Sequence, residues 1–233
     1  MVHHELEPGH FDLHKLITVL IFAGALVSVF AVSTAVFVAY QQMGSAVFSL
    51  RADHLGDYIH SPLAYVFNIG LLAAGCCMML SMAGLYLLKL NSFSQYMALA
   101  GAWVGISICL MGIFPINYLA MHRLVSTGYL LGSLVLHALT MVAGFNRRFY
   151  CPKPLCFISC LTLVSAITLA TELDWYSLDF PQCDTASQTC IVAPLMWAMT
   201  NLTIIWCLTL ALAMRKMANK IKHNEPSLLT TRS

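Results

Sequence analysis

Six apolar stretches, each roughly 20 residues long, restrict this chain to very few folds. They run Leu16–Tyr40, Leu63–Leu88, Ser94–Phe114, Arg123–Phe145, Leu155–Leu173 and Ile191–Met214. A hydrocarbon core about 30 Å thick needs that length of helix to cross it. Lipid offers backbone N–H and C=O groups no partner, so each stretch must satisfy them internally as an α-helix. The expected fold is therefore all-α, an integral membrane bundle of six transmembrane helices forming one domain, 16–214. A short N-terminal tail, 1–15, and a basic C-terminal tail, 215–233, flank it. Charged residues make up only 9% of the chain, against about a quarter in soluble proteins. That deficit leaves too little polar surface for a water-exposed globule. Glu5, Glu7 and Asp12 precede the first stretch, and it is too long for the core of a cleavable signal, so it reads as a retained span.

Basic residues give an orientation. With the N-terminus inside, ten of the twelve lysines and arginines fall on the inner segments, and only Arg51 and Arg123 fall outside. That asymmetry predicts cytoplasmic termini. The membrane expected is the plasma membrane, or the inner membrane in a Gram-negative cell. Arg215, Lys216, Lys220 and Lys222 directly follow the last span, where they would meet anionic headgroups at about 1 kcal/mol each. Membrane lipids are thus the expected partners. No nucleic-acid partner and no cofactor are expected, and oligomeric state is not encoded in any pattern found.

Small residues indicate where helices approach closely. Gly70, Ala74, Cys77, Ser81 and Gly84 share one face of the second span, and Ala98, Ala102, Gly105, Cys109 and Gly112 share one face of the third. The two spans are expected to pair through these faces, antiparallel across the turn Lys89–Phe93. Two connections are long, Gln41–Pro62 and Asp174–Cys190, both on the predicted outer side. The second carries Cys183 and Cys190, which either close a small disulfide loop or stay as free thiols.

The fourth span carries the clearest polar pattern. His122, Ser126, Tyr129, Ser133, His137 and Thr140 fall on one narrow face at helical spacing. Such a face lines a cavity or bonds neighbouring helices. Interhelical bonding is the expected role of Ser126, Ser133 and Thr140; His137, near mid-membrane, reads as a satisfied buried histidine rather than a ligand, and His122 stands apart at the outer mouth beside Arg123. The first outer loop adds Arg51, Asp53, Asp57 and His60. If locally helical, Asp53, Asp57 and His60 share a face at i, i+4 and i+7. With His122 they are the residue types that hold zinc and activate water, but no zinc-protease motif is present and no metal is expected. Arg51 and Arg123 could instead pair with loop acids or hold a phosphate or carboxylate headgroup. Asn68, about one turn inside the outer interface, is the further candidate for the same site. His122 and His137 lie too far apart, about 22 Å along one helix, to make a haem pair. His3, His4, His10 and His14 read as part of an unstructured tail.

Two stretches resemble a known family. One is His54-Leu-Gly-Asp57-Tyr58 continuing through Asn68-Ile-Gly70 to Gly75; the other is Gly112-Ile-Phe114-Pro115, followed seven residues later by His122. In these the chain resembles the six-span family known as domain of unknown function 998, within a wider group that includes the DRAM-type autophagy modulators. The resemblance implies a six-helix membrane fold and an association with lipid organisation, with Asn68, Gly70, Gly75, Gly112, Phe114, Pro115 and His122 matching its motifs. Three functions are compatible with these residues: a lipid-interacting protein, with Arg51, Asp53, Asp57, His60, Asn68, His122 and Arg123 as the binding group; a metal-dependent hydrolase embedded in the membrane; or a small-solute transporter. Whether the chain is an enzyme is left open.

Overall fold

The computed structural model describes residues 8–145, 151–181 and 190–229, with side chains over 12–145, 151–181 and 190–219. Among the described residues, six helices are long and apolar enough to cross a membrane: α1 (Pro8–Met43), α2 (Ala64–Leu87), α3 (Ser92–Ile113), α4 (Leu119–Phe145), α5 (Lys153–Glu172) and α6 (Val192–Leu229). Two short 3-10 turns, Gly44–Ser49 and Ala52–Gly56, fold within the first long loop. No strand occurs in the described residues beyond a single bridge between Asp174 and Asp179.

Each helix packs mainly on its chain neighbours, and α1 closes against α6. The six form a ring with a central bore. Large apolar side chains such as Leu26, Phe30, Phe37 and Ile69 stand outward on its surface, the arrangement a helix needs when its solvent is hydrocarbon. Local chemistry sets several helix ends. Asn91 accepts a 2.7 Å bond from the Ser94 N–H while Ser94 Oγ accepts 3.2 Å back from the Asn91 N–H, a capping box that starts α3. Pro115, just after α3, has no N–H to continue the helix. At the start of α5, Pro154 sits in the first turn, where no N–H is required.

The ends of the chain differ from the sequence boundaries. Residues 8–15, assigned to a tail from the sequence, belong to α1, and His14 is buried at 1% exposure. Polar residues in this first turn masked its continuity with the span. At the other end α6 extends over 38 residues, about 57 Å, well past the bilayer and through the basic segment. Arg147, Arg148, His3 and His4 lie outside the described residues.

The small-residue faces pair differently from expectation. α2 and α3 do meet closely: a Cβ on Gly75 would reach within 2.5 Å of the Cys109 backbone nitrogen, and one on Gly112 within 2.6 Å of the Asn68 carbonyl. The α3 face is the predicted one. The α2 face of Gly70, Ala74, Cys77 and Gly84 instead turns to α1, where Gly70 sits on Ala31, Gly24 on Ala74 and Cys77, and Gly84 on Ile17. A helix in a ring has two neighbours, and Gly75, outside the small-residue stripe, serves the second.

Lower in the bore, polar groups bond across helices. Trp206 Nε1 donates 2.9 Å to Ser159 Oγ, and His137 Nδ1 lies 3.4 Å from the same hydroxyl with its ring edge-on to Trp206 at 5.6 Å. One serine thus joins α4, α5 and α6. Thr140 bonds back to the Leu136 carbonyl at 2.9 Å. At this depth His137 joins α4 to its neighbours, whereas Thr140, expected to bond another helix, bonds within its own.

The Gly112 contact yields a stability test. Gly112→Val places side-chain carbon against backbone of α2, which cannot rotate away, and is expected to lower stability by about 1–3 kcal/mol. Thermal melting in detergent measures it; an unchanged midpoint would contradict the close approach.

Candidate functional site

At one end of the ring, three segments distant in sequence are clasped by charge. Arg51, between the two 3-10 turns, donates from Nη2 to Asp53 at 2.6 Å and from Nη1 to Asp179 at 3.1 Å. Arg123, near the start of α4, binds the other Asp179 oxygen. His122 Nε2 stands 3.3 Å from Asp53 Oδ2, and its Nδ1 is 2.9 Å from the Phe114 carbonyl. The result is one chain of contacts, His122–Asp53–Arg51–Asp179–Arg123, running from the first loop through the start of α4 to the loop before α6. The Phe180 ring lies under the Arg51 guanidinium at 5.8 Å.

Hydrogen bonding sets the state of both aspartates. Burial alone would raise the Asp53 carboxyl, but the bond from His122 and the adjacent Arg51 guanidinium hold it well below the usual carboxylate range, so it is ionised. A carbonyl and a carboxylate can only accept. Both ring nitrogens of His122 face such acceptors, Phe114 on one side and Asp53 on the other, so the ring is held in place from both edges. Asp179 is likewise kept low: burial pushes it up, and the bonds from Arg123 and Arg51 more than offset this.

The sequence grouping of the first loop separates. Asp53 lies within a 3-10 turn that ends at Gly56, so Asp57 leaves the helical phase and does not share its face. Asp57 forms its own cluster, with His60 Nδ1 at 2.6 Å, the Ile59 N–H at 2.8 Å and Asn117 Nδ2 at 2.9 Å. Asn117 in turn accepts from the Tyr58 N–H at 3.0 Å. This pins the loop to the α3–α4 turn. Burial would raise Asp57, but His60 and the two N–H donors bring it to about 2. Asp57 and His60 therefore do not converge with His122, and among the described residues no three His, Cys, Asp or Glu side chains gather as a metal site.

Beneath the clasp, the bore holds a cavity of about 160 Å³ to which all six helices contribute. Its charged end is Arg51, Asp53 and His122, with Asn68, Ser126 and Pro115 beside them. Its other walls are mainly apolar, including Met111, Met196 and Met199, with Tyr129 and Thr203 bonded to each other at 2.8 Å. Asn68 donates 3.0 Å to the Gly56 carbonyl, holding the loop over the bore. Trp197 does the same from α6, donating 3.0 Å to the Leu50 carbonyl. Ser126, expected to bond a neighbouring helix, bonds back to the Arg123 carbonyl at 3.1 Å and faces the cavity. Arg123 is not part of the lining.

Gly112, Phe114 and Pro115 act as scaffold: close packing on α2, the carbonyl that receives His122, and the end of α3. Asp179 and Phe180 escaped the sequence reading as site residues. Only the length of their loop, Asp174–Cys190, hinted at them, because their partner Arg51 is 128 positions away from Asp179. Cys190 is disulfide-bonded; Cys183, the partner expected from the sequence, lies outside the described residues. No family model matches the chain, and neither a curated protein nor a solved structure matches it.

The two aspartates should differ in what they hold. Asp53→Asn leaves Arg51 and His122 partly unpaired in a buried setting and is expected to cost about 3–5 kcal/mol. Asp57→Asn, which keeps an acceptor oxygen and loses an ion pair to a His60 side chain that is 74% exposed, is expected to cost less, about 1–2 kcal/mol. Chemical denaturation of both variants in the same detergent compares them. Acid should expose the Asp57 cluster separately. Its carboxyl is depressed from an ordinary 3.8 to about 2, so its contribution is complete above about pH 4 and is lost as pH falls toward 2. Melting curves for Asp57→Asn should therefore show a shallower pH dependence across that window than the parent.

Proposed function

We propose that this protein is a multi-pass membrane protein that holds an amphiphilic lipid in its central cavity, and that it works by binding rather than by chemistry. The observation carrying this reading is the polarity of the bore: the charged groups are gathered at one end, and a mainly apolar wall that includes three methionines makes up the rest. That is the distribution an amphiphile has along its own length. Methionine adapts its shape to flexible chains. In this reading both termini are cytoplasmic and the clasp faces outward at the plasma membrane, supported by the ten-to-two division of basic residues. The resemblance to the domain of unknown function 998 family belongs to the same proposal. Its support is that Gly56, Asn68, Pro115 and His122, drawn from both motif stretches, meet at the charged end of the cavity.

A hydrolase reading draws on the 3.3 Å contact between His122 and Asp53. The same geometry argues against it, because both imidazole nitrogens are engaged by protein oxygens and neither faces open space where a water could be activated. A transporter reading lacks the helix interruption near mid-membrane that such folds commonly use.

Protein extracted in mild detergent should carry lipid identifiable by mass spectrometry of the intact complex. Ser126→Trp, which fills the cavity beside His122, should abolish that lipid, whereas His137→Ala, in the glue region, should lower stability without removing it. Equal lipid in parent and Ser126→Trp protein would sink the cavity reading. For orientation, a protease-cleavable tag on either terminus should be protected in sealed right-side-out vesicles.

A further inference from the structure

The start of α5 brings two sulfurs together. Pro152 caps that helix with extended backbone, so Cys151 stands one residue before the cap and Cys156 is the fourth helical residue. Those are the two positions whose side chains fold onto each other at a helix start, ordinarily as an apolar pair. Here both are thiols, and their Sγ atoms lie 2.9 Å apart. Pro152 and Pro154 stiffen the six-residue segment Cys151-Pro-Lys-Pro-Leu-Cys156, so joining its ends removes little chain freedom. The last turns of α4 flank the pair: Cys151 Sγ is 3.9 Å from the Thr140 carbonyl, and a Cβ on Gly144 would overlap Cys156 Sγ. Both cysteines are half-buried rather than sealed. The other close pair differs, since the Cys76 and Cys109 sulfurs are 3.5 Å apart within spans, and Cys109 also bonds to the Leu72 carbonyl. Among the described residues no third His, Cys, Asp or Glu joins Cys151 and Cys156, so they lack the ligand set of a structural metal site.

We propose that Cys151 and Cys156 form a dithiol site that exchanges with low-molecular-weight disulfides and closes reversibly into a cystine. In the first step the Cys156 thiolate attacks one sulfur of the small disulfide. A mixed disulfide forms, and one small thiol leaves with the proton that Cys156 lost. In the second step Cys151 gives up its proton and attacks Cys156 Sγ, and the second small thiol leaves with that proton. The protein loses two hydrogens and two electrons, and the small disulfide gains them. Burial and the adjacent Cys156 sulfur push the Cys151 thiol up, which suits it to the second step, where its target is already in contact. A disulfide is about 2.05 Å long, so closure asks roughly 0.9 Å of the two sulfurs. The site lies at the far end of α4 from the clasp, about 40 Å along that 27-residue helix, whereas the disulfide-bonded Cys190 precedes α6 at the clasp end. In the orientation proposed above the pair faces the cytosol, whose thiol pool keeps it open until small disulfides accumulate.

The test equilibrates full-length protein in nanodiscs with glutathione and glutathione disulfide over a range of ratios. Free thiols are then alkylated and the peptides mapped by mass spectrometry. As the disulfide share rises, alkylation of Cys151 and Cys156 should be lost together while a link between them appears, and dithiothreitol should reverse both changes. Cys151→Ser should stop the exchange after its first step and carry glutathione on Cys156. Cys160→Ser, at an exposed cysteine one turn further along α5, should leave the link unchanged. Both thiols alkylated at every ratio would make the pair an apolar staple only and overturn the proposal. Glutathione persisting on both cysteines, a link from Cys156 to Cys160, or a folded Cys151→Ser protein without glutathione on Cys156 would overturn it as well. If a serine variant does not fold, the map of the parent protein alone decides.

Discussion

Two aspartates carry the organisation of this molecule's charged end. Asp53 joins the first loop to the start of α4, and Asp179 joins the loop before α6 to both. Charges near a membrane are costly unless they are paired and hydrogen-bonded, so the pairs fix which loops can lie together. The rest follows from that constraint. The 3-10 turn is drawn over the bore, Asn68 and Trp197 hold its backbone from below, and a cavity remains between the loop and the helices. Apolar packing works with the clasp: Val47 and Leu55 of the first loop are buried against Ala35, Ala39 and Phe67 of α1 and α2.

The same arrangement accounts for the division of labour along α4. Its polar face is continuous in sequence but serves two purposes at two depths. Near the clasp, His122, Ser126 and Tyr129 border the cavity. Lower down, where α4, α5 and α6 converge, His137 and Thr140 are buried among neighbouring helices and complete bonds with protein. Depth in the bundle, not residue type, decides which polar side chains have space in front of them.

Much of the fold was legible because lipid imposes one rule on every span. Hydropathy located all six helices, and helical phase correctly gathered the α4 stripe. What it could not give was long-range pairing. Arg51 and Asp179 are joined by charge across 128 positions, and no local period records that. The first loop was misread for a related reason: an α-helical phase groups Asp53 with Asp57, whereas a tighter turn ending at Gly56 separates them. The α2 stripe was assigned to the wrong neighbour because small residues mark a close approach without saying to which helix. His14 illustrates a third limit. Polar residues around it broke the apolar run, yet the helix continues through them and buries the ring.

The closure of α1 against α6 has a consequence for assembly. Helices enter the membrane in chain order, so the first five can gather before the bore has its final wall. Until the last loop and α6 arrive, Asp179 is absent and Arg123 has no carboxylate from that loop to hold it. An unfinished bundle therefore keeps an uncompensated positive end and an open seam beside α1. Those are features by which a membrane quality-control system, or a chaperone that shields polar groups in lipid, would tell an incomplete molecule from a finished one.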